Sequence, residues 1–257
     1  MTVPRIFFSE SVGEGELCKL GEQNLRYIKY VLRMKKGEGL ILFDGTGWEY
    51  EGVIKNFLAD GISIEVLKKN RIPDKAVKIS LFQALPKAHK MDFIVQKVTE
   101  LGTDRIVSFQ SARSVPRLSP DKARAKISRW QGIAMEAARQ CGRADIPEIV
   151  GIVAFEEMLA YSERKPLKLI FWEEESERGI KEVLRDEKYA GVHDISVVIG
   201  PEGGFSREEI ASAADKGFIS VTLGKNILKV ETAALTILSI IQYEKGIFGG
   251  LHCGEVR

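Results

Sequence analysis

Two stretches in the C-terminal quarter gather the residues best suited to chemistry: Gly200-Pro201-Glu202-Gly203-Gly204-Phe205, and Gly224-Lys225-Asn226-Ile227-Leu228-Lys229-Val230-Glu231-Thr232. Each follows an apolar run of strand length, Ile195–Ile199 or Phe218–Leu223, and each opens into a helical pattern. In wound α/β sheets, ligands bind beyond the carboxyl ends of strands, and glycine lets ligand and backbone approach closely. The first stretch is not G-x-G-x-x-G and lacks the G-K-[ST] ending of a phosphate loop, so neither a dinucleotide nor a triphosphate is favoured. In the second, Ile227 and Leu228 are apolar residues in a polar loop, which reads as the wall of a pocket. The carboxylates Glu202 and Glu231 are candidates to accept a proton, and Arg143 and Lys229 are candidates to stabilise an anion.

Local signals indicate which elements hold these loops. Ser206-Arg207-Glu208-Glu209 reads as a capping box opening a helix. The Thr232 hydroxyl is placed to cap the apolar helix that runs through Tyr243. Upstream, Val77–Leu85 and Arg105–Phe109 read as strands around a helix Lys90–Leu101, whose Met91, Ile94, Val95, Val98 and Leu101 form one stripe. Ser119-Pro120-Asp121 starts a helix that runs to about Cys141, on which Glu136, Gln140 and Arg143 fall at i, i+4 and i+7. With Lys168–Trp172 as a further strand, the alternation predicts a mostly parallel, wound α/β sheet from about residue 76. The first seventy residues read differently: strands at Arg5–Phe8, Gly39–Asp44, Trp48–Phe57 and Ile62–Leu67, a hairpin at Asp44-Gly45-Thr46-Gly47, and one helix at Glu22–Met34. That pattern suggests a small barrel, joined to the second domain by the polar Asn70–Lys75.

The 257 residues carry a net charge of only +2, but it is unevenly spread. Lys78 to Asp145 holds 13 Lys/Arg against 6 Asp/Glu, whereas Ile146 to Ile199 holds 7 against 12. A basic block beside an acidic one suits a surface that faces a polyanion. Cys18, Cys141 and Cys253, like His89, His193 and His252, are scattered, with no disulfide framework and no metal-ligand spacing. The N-terminus lacks a signal-peptide pattern, and no apolar stretch approaches the ~20 residues a membrane span requires. These features give the expectation of a soluble cytoplasmic protein without a metal.

The order of several fragments resembles the SPOUT class of methyltransferases and, within it, the RsmE family, which methylates N3 of a uridine in 16S (small-subunit) ribosomal RNA. The fragments include Pro4-Arg5-Ile6-Phe7, Val31-Leu32-Arg33, Leu42-Phe43-Asp44-Gly45 and Gln83-Ala84-Leu85-Pro86-Lys87 followed by Lys90-Met91-Asp92. They continue with Gln96-Lys97-Val98-Thr99-Glu100-Leu101-Gly102, Arg113-Ser114-Val115, Arg129-Trp130, Glu136-Ala137-Ala138, Ile199 through Ser206, and Leu223-Gly224. The resemblance implies an α/β SPOUT domain with a deep trefoil knot at 76–250 and a PUA-like β-barrel that helps hold RNA at 1–72. It implies S-adenosylmethionine as cofactor, in a site made by Phe171, Trp172, Glu173, Ile199, Gly200, Pro201, Gly203, Gly204, Leu223, Gly224, Asn226, Ile227, Leu228, Thr232 and Ala233. It also implies a homodimer acting on small-subunit ribosomal RNA, free or in an assembled 30S subunit. One departure is local: the family's L-R-T-E-T-A is here Leu228-Lys229-Val230-Glu231-Thr232-Ala233, a planar fork exchanged for a point charge and a hydroxyl lost.

For that reaction the phosphate contacts expected are Arg5, Arg26, Arg33, Lys87, Lys90, Arg113, Arg117 and Arg129, with Glu136 and Gln140 on a helix face suited to hydrogen-bonding a nucleobase. Uridine N3 carries a proton and is a poor nucleophile until it leaves, so the site needs a base or a cation that stabilises the uridine anion. Glu202 and Glu231 fill the first role, Arg143 and Lys229 the second, and the acidity of N3 favours the cation acting with loop positioning. Ribose 2′-O-methylation by the same class of fold, and a non-catalytic RNA-binding role in ribosome assembly, are the alternatives.

Overall fold

The structure is a computed structural model, described here for residues 3–115, 117–162 and 165–248. His252 and Cys253 lie outside these residues. The chain divides into two compact units: residues up to Asp74 together with Met135–Ile146, and Lys75–Ala134 with the chain from Pro147 onward.

The first unit is built on a five-stranded sheet of β1 (Arg5–Phe7), β2 (Leu17–Leu20), β3 (Gly39–Phe43), β4 (Trp48–Leu58) and β5 (Gly61–Arg71), in the order β1-β3-β4-β5-β2. Only the β1–β3 pair is parallel. Alternation makes the core: Tyr50 and Ile54 of β4 and Ile62, Ile64 and Val66 of β5 all point inward and are fully buried. The Asp44 carboxylate fixes the β3–β4 turn by accepting from the N–H groups of Thr46 (2.8 Å) and Trp48 (3.2 Å).

Three expectations need correction here. β2 was not foreseen, and β5 runs on to Arg71, into the stretch read as linker. The helix expected over Glu22–Met34 is one short α-helix, α1 (Glu22–Arg26), followed by a π-helical turn, Tyr27–Val31. Leu32 N–H reaches back to the Tyr27 carbonyl, and Arg33 then takes φ +56°, which stops the helix.

The second unit holds six parallel strands: β6 (Lys78–Ala84), β7 (Arg105–Gln110), β8 (Glu148–Ala154), β9 (Leu167–Phe171), β10 (Asp194–Ile199) and β11 (Ile219–Val221). Their order is β11-β9-β10-β6-β7-β8. β10 is central and buried on both faces, which is why its sequence is a continuous apolar run rather than an alternation. The helices of this unit are α2 (Lys90–Glu100), α4 (Phe155–Tyr161), α5 (Ile180–Arg185), α6 (Arg207–Asp215) and α7 (Val230–Glu244), with α3 (Pro120–Cys141) ending in the first unit. The apolar stripe of α2 buries Met91, Ile94, Val95 and Val98, and α2 packs on α7. β8 and α4 were not foreseen: Gly151 interrupts the β8 pattern at φ +134°. Among the described residues no helix is long and apolar enough to cross a membrane, and no cluster of His, Cys, Asp and Glu is placed to hold a metal.

The capping box at Ser206 forms in full, and Glu209 does more than cap. Its carboxylate is buried and accepts from the N–H of Ser206 (2.9 Å) and from the N–H of Ala112 (2.8 Å) in the loop after β7. Glu209→Ala leaves both donors without a partner and should lower stability by about 1–3 kcal/mol, more than the ~1 kcal/mol expected of Ser206→Ala. Urea denaturation of the two variants beside the parent chain measures this, and equal small losses would contradict the tie.

Candidate functional site

The parallel register lines up the carboxyl ends of β9, β10 and β11: Ile199 pairs with Phe171, and Phe171 pairs with Val221. The loops that leave those ends enclose a cleft open to solvent at its mouth, at the edge where ligands bind in parallel α/β sheets. Phe171, Trp172 and Glu173 form one wall from β9, and Ile199, Gly200 and Pro201 a second from β10. Leu223, Gly224, Asn226, Ile227 and Leu228 overhang it from the loop after β11, and Ala233 closes it from α7. Ile227, an apolar side chain lining the cleft, is 87% exposed.

Three residues expected to hold the cofactor are not among those lining the cleft: Gly203 and Gly204 lie in the turn after β10, and Thr232 is exposed in the first turn of α7 rather than capping it. The N-cap is Lys229, in extended backbone at φ −61°, ψ 149°, so the helix starts earlier than a Thr232 cap requires. Val221, Thr222, Lys225 and Val230 also line the cleft, beyond the residues expected to hold the cofactor; Lys225 and Val230 belong to the loop singled out in the sequence, Val221 and Thr222 to the strand before it.

The turn is held in depth. Phe205 stacks parallel to Phe109, ring centroids 6.3 Å apart, and is tilted against Phe155. Gln83 is fully buried at the end of β6 and donates to the carbonyls of Ala84, Ile199 and Gly200. Gly204 takes φ +66°, and a β-carbon there would collide with the Glu173 carboxylate. A side chain at this position therefore strains the backbone and pushes a wall residue of the cleft aside.

Beside the cleft lies an ion cluster. The Lys90 ammonium, on the first residue of α2, sits 2.9 Å from Glu202 Oε1 and 3.4 Å from Glu231 Oε2. Glu202 also accepts from the N–H of Lys87, 3.2 Å from each oxygen. Burial pushes the Glu202 carboxyl up, but the hydrogen bonds from Lys90 and from its own and the Lys87 N–H outweigh it, and its pKa falls below the usual 4.5. Lys90 is held above its ordinary 10.5 chiefly by the hydrogen bond to Glu202. Glu202 is thus a weak proton acceptor. Glu231 is held more loosely: its Oε2 is enclosed, with the Lys90 ammonium 3.4 Å away as its ionic partner.

The expected phosphate contacts separate into groups. Lys90 is engaged by two carboxylates, and Arg5 is half-buried, its guanidinium bonded to Glu49 at 2.6 Å and to the Arg143 carbonyl at 3.0 Å, so neither is a free surface cation. Arg129 is exposed but pairs with Asp92 at 2.9 Å, Arg26 pairs with Glu22 one turn away, and Arg113 donates to the Gly203 carbonyl. Arg33, Lys87 and Arg117 are exposed. Glu136 and Gln140 are exposed on α3, with Glu136 paired to Arg139 at 2.6 Å. Arg143 does not share their face. Gly142, at φ +85°, ends the helix in a Schellman turn, the Arg143 N–H bonds to the Ala138 carbonyl, and the Arg143 side chain grips Asp145 at 2.6 Å. Lys229 is exposed at the head of α7.

Fold and site together define an RNA methyltransferase. A family model described as an RNA methyltransferase domain matches residues 73–242, and one described as an RNA methyltransferase PUA domain matches residues 20–57. A Bacillus subtilis protein named ribosomal RNA small subunit methyltransferase E is 29% identical over 94% of this chain and 95% of its own length. The protein of that name from Mycobacterium bovis is 31% identical over 82% of this chain and 80% of its own. A crystal structure of the Neisseria gonorrhoeae protein of that name, bound to S-adenosyl methionine, superposes with a TM-score of 0.82 at 30% identity, covering 94% of this chain and 98% of that one. The chain belongs to the ribosomal RNA small subunit methyltransferase E family.

The depressed Glu202 carboxyl has a measurable consequence. A carboxyl lowered in the folded state adds stability above its unfolded value near 4.5, and that stability disappears as pH falls through the lower folded value. Glu202→Gln should therefore be less stable than the parent at neutral pH, with the gap closing once both are taken well below pH 4.5. Denaturation midpoints across pH measure the gap, and a constant difference would show that the charge of Glu202 is not what stabilises.

Proposed function

We propose that this protein methylates N3 of a uridine in 16S ribosomal RNA, using S-adenosylmethionine held in the cleft at the carboxyl edge of the parallel sheet. The observation that carries the reading is the juxtaposition of a cleft of mixed polar and apolar lining with a Lys90–Glu202–Glu231 cluster at its border. The residues present suit the cofactor. Phe171, Ile199, Leu223 and Leu228 offer apolar walls, and Trp172 keeps an indole N–H buried with no partner among the described residues, a donor that a polar ligand atom would satisfy. When bound, S-adenosylmethionine supplies an electrophilic methyl on a sulfonium. The chain's own work is to orient the nucleobase, exclude water and take the N3 proton.

The finer architecture belongs to the same proposal. Residues 76–250 form the knotted SPOUT domain and residues 1–72 a PUA-like barrel, a division supported by the two matched family models. The enzyme works in the cytoplasm as a homodimer on ribosomal RNA or an assembled 30S subunit. Phe93 on α2 and Tyr243 on α7, 45% and 64% exposed, are apolar surface that a second copy would cover. Methylation at N3 is tested by digesting small-subunit RNA, from cells with and without the protein, to nucleosides for mass spectrometry. N3-methyluridine that disappears with the protein is expected. A missing 2′-O-methyl nucleoside would place the reaction on ribose, and no change would leave a binding role.

The first unit supplies a surface for the RNA strand. From Gln23 to Gly37 there are five Lys/Arg and no acid. In the middle of this stretch the π-helical turn leaves Tyr30 and Val31 67% and 66% exposed, with the Lys29 ammonium 5.6 Å from the Tyr30 ring centre. An exposed ring among cations suits stacking of an unpaired base between phosphate contacts. Tyr30→Ala should weaken RNA binding by roughly 5- to 100-fold, the range of one lost stacking contact, and Tyr30→Phe should restore it. Fluorescence anisotropy with a labelled RNA reads this, and equal affinity in Tyr30→Ala would remove the surface from the account.

A further inference from the structure

Lys90, expected from the sequence as a phosphate contact, is instead paired with two carboxylates. It projects from the start of α2 between the loop after β10 and the first turn of α7, and its ammonium has three N–H groups for two carboxylates. Glu202 is fully committed: Oε1 faces Lys90, and both oxygens accept from the Lys87 N–H. Glu231 is held more loosely, its enclosed Oε2 standing 3.4 Å from the ammonium as an ion pair. The side chains are each about one quarter to one third exposed (Lys90 31%, Glu202 24%, Glu231 23%), so a ligand can reach the cluster, although Glu231 Oε2 itself is enclosed. With Oε2 enclosed against the ammonium, the Glu231 carboxylate is left to meet a bound molecule through its other oxygen.

We propose that Lys90 is a positioning residue for the methyl transfer, acting through Glu231: it fixes the orientation and charge of the carboxylate that takes the N3 proton, while Glu202 anchors Lys90. This deepens the N3-methylation reading and rests on it. In the step, the N3–H bond breaks, its proton passes to the Glu231 carboxylate through the oxygen not turned to Lys90, and the electron pair left on N3 accepts the methyl group. Glu231 later returns the proton to solvent. The charged groups that face the ammonium are Glu202 from the loop and Glu231 from α7. On its own helix and the turn before it, His89 lies 3.9 Å from Asp92, Asp92 is held by Arg129 and the Trp130 indole, and Lys87 contributes only backbone. The cluster therefore carries two negative charges against one positive, and the share of the ammonium that each carboxylate receives sets how readily Glu231 binds a proton.

That sharing gives the test opposite signs in two variants. Carbon NMR of protein labelled at the glutamate carboxyls, followed across pH without cofactor or RNA, reads the Glu231 titration independently of activity. In Lys90→Met the carboxylate loses its cation, and its titration midpoint should move to higher pH. In Glu202→Gln the ammonium is released to Glu231 and a neighbouring negative charge is removed, so the midpoint should move to lower pH. Single-turnover methylation should follow, with Lys90→Met slower by roughly 10²-fold or more at neutral pH, the lower part of a general base's range. Its acid limb should shift upward, with recovery in Lys90→Arg. Cofactor affinity measured calorimetrically in the same samples should change little. An unmoved Glu231 titration in both variants would overturn the proposal. So would a Lys90→Met effect confined to RNA affinity and its salt slope, which is the signature of a phosphate contact. If RNA from the parent enzyme contained no N3-methyluridine, the reaction reading would fail while the NMR result still reported on the cluster.

Discussion

The parallel pairing of β9, β10 and β11 is the constraint from which the rest follows. Because Ile199 pairs with Phe171 and Phe171 with Val221, three strands end in one row and release their loops on the same edge. Each loop alone is ordinary: a glycine-rich turn, an acidic stretch, a polar connector before a helix. Brought to one edge, they enclose the cleft and place Glu202 and Glu231 within reach of one ammonium. The buried ties beneath act in the same direction. Gln83 binds the β10 loop to β6, Phe205 stacks in the core, and Glu209 joins α6 to the loop after β7. A site that must hold reacting atoms to fractions of an ångström needs such support.

The Lys229-Val230 pair shows how a change at the edge is absorbed. Lys229 sits outside the helix as its N-cap residue, exposed, while Val230 is the first helical residue, 6% exposed and part of the cleft wall. An apolar side chain suits that buried position, and the carboxylate two places from the N-cap benefits from the helix dipole. The ammonium that reaches both carboxylates comes from Lys90, not from this pair.

The sequence was most legible where local chemistry decides the outcome. The capping box at Ser206, the apolar stripe of α2, the continuous apolar run of β10 and the hairpin at Asp44 each form as their residues predict. It was least legible where tertiary contacts decide. β2 gains its identity only by pairing with β5, and β8 by pairing with β7 across an irregularity near Gly151. The end of the first helix depends on a left-handed Arg33 that no propensity favours. Charges were the clearest case. Sequence gives their sign but not their partners, so Arg5 and Lys90 read as surface cations although both are committed to carboxylates.

The central claim, that the cleft at the carboxyl edge holds S-adenosylmethionine, is tested most directly by calorimetric titration of the cofactor into the parent protein and into Gly204→Val. The parent should bind one equivalent per chain. The variant, strained at φ +66° and forced to displace Glu173, should remain folded by circular dichroism yet lose at least about tenfold in affinity. Unchanged affinity in a folded Gly204→Val, or no binding by the parent, would contradict the account.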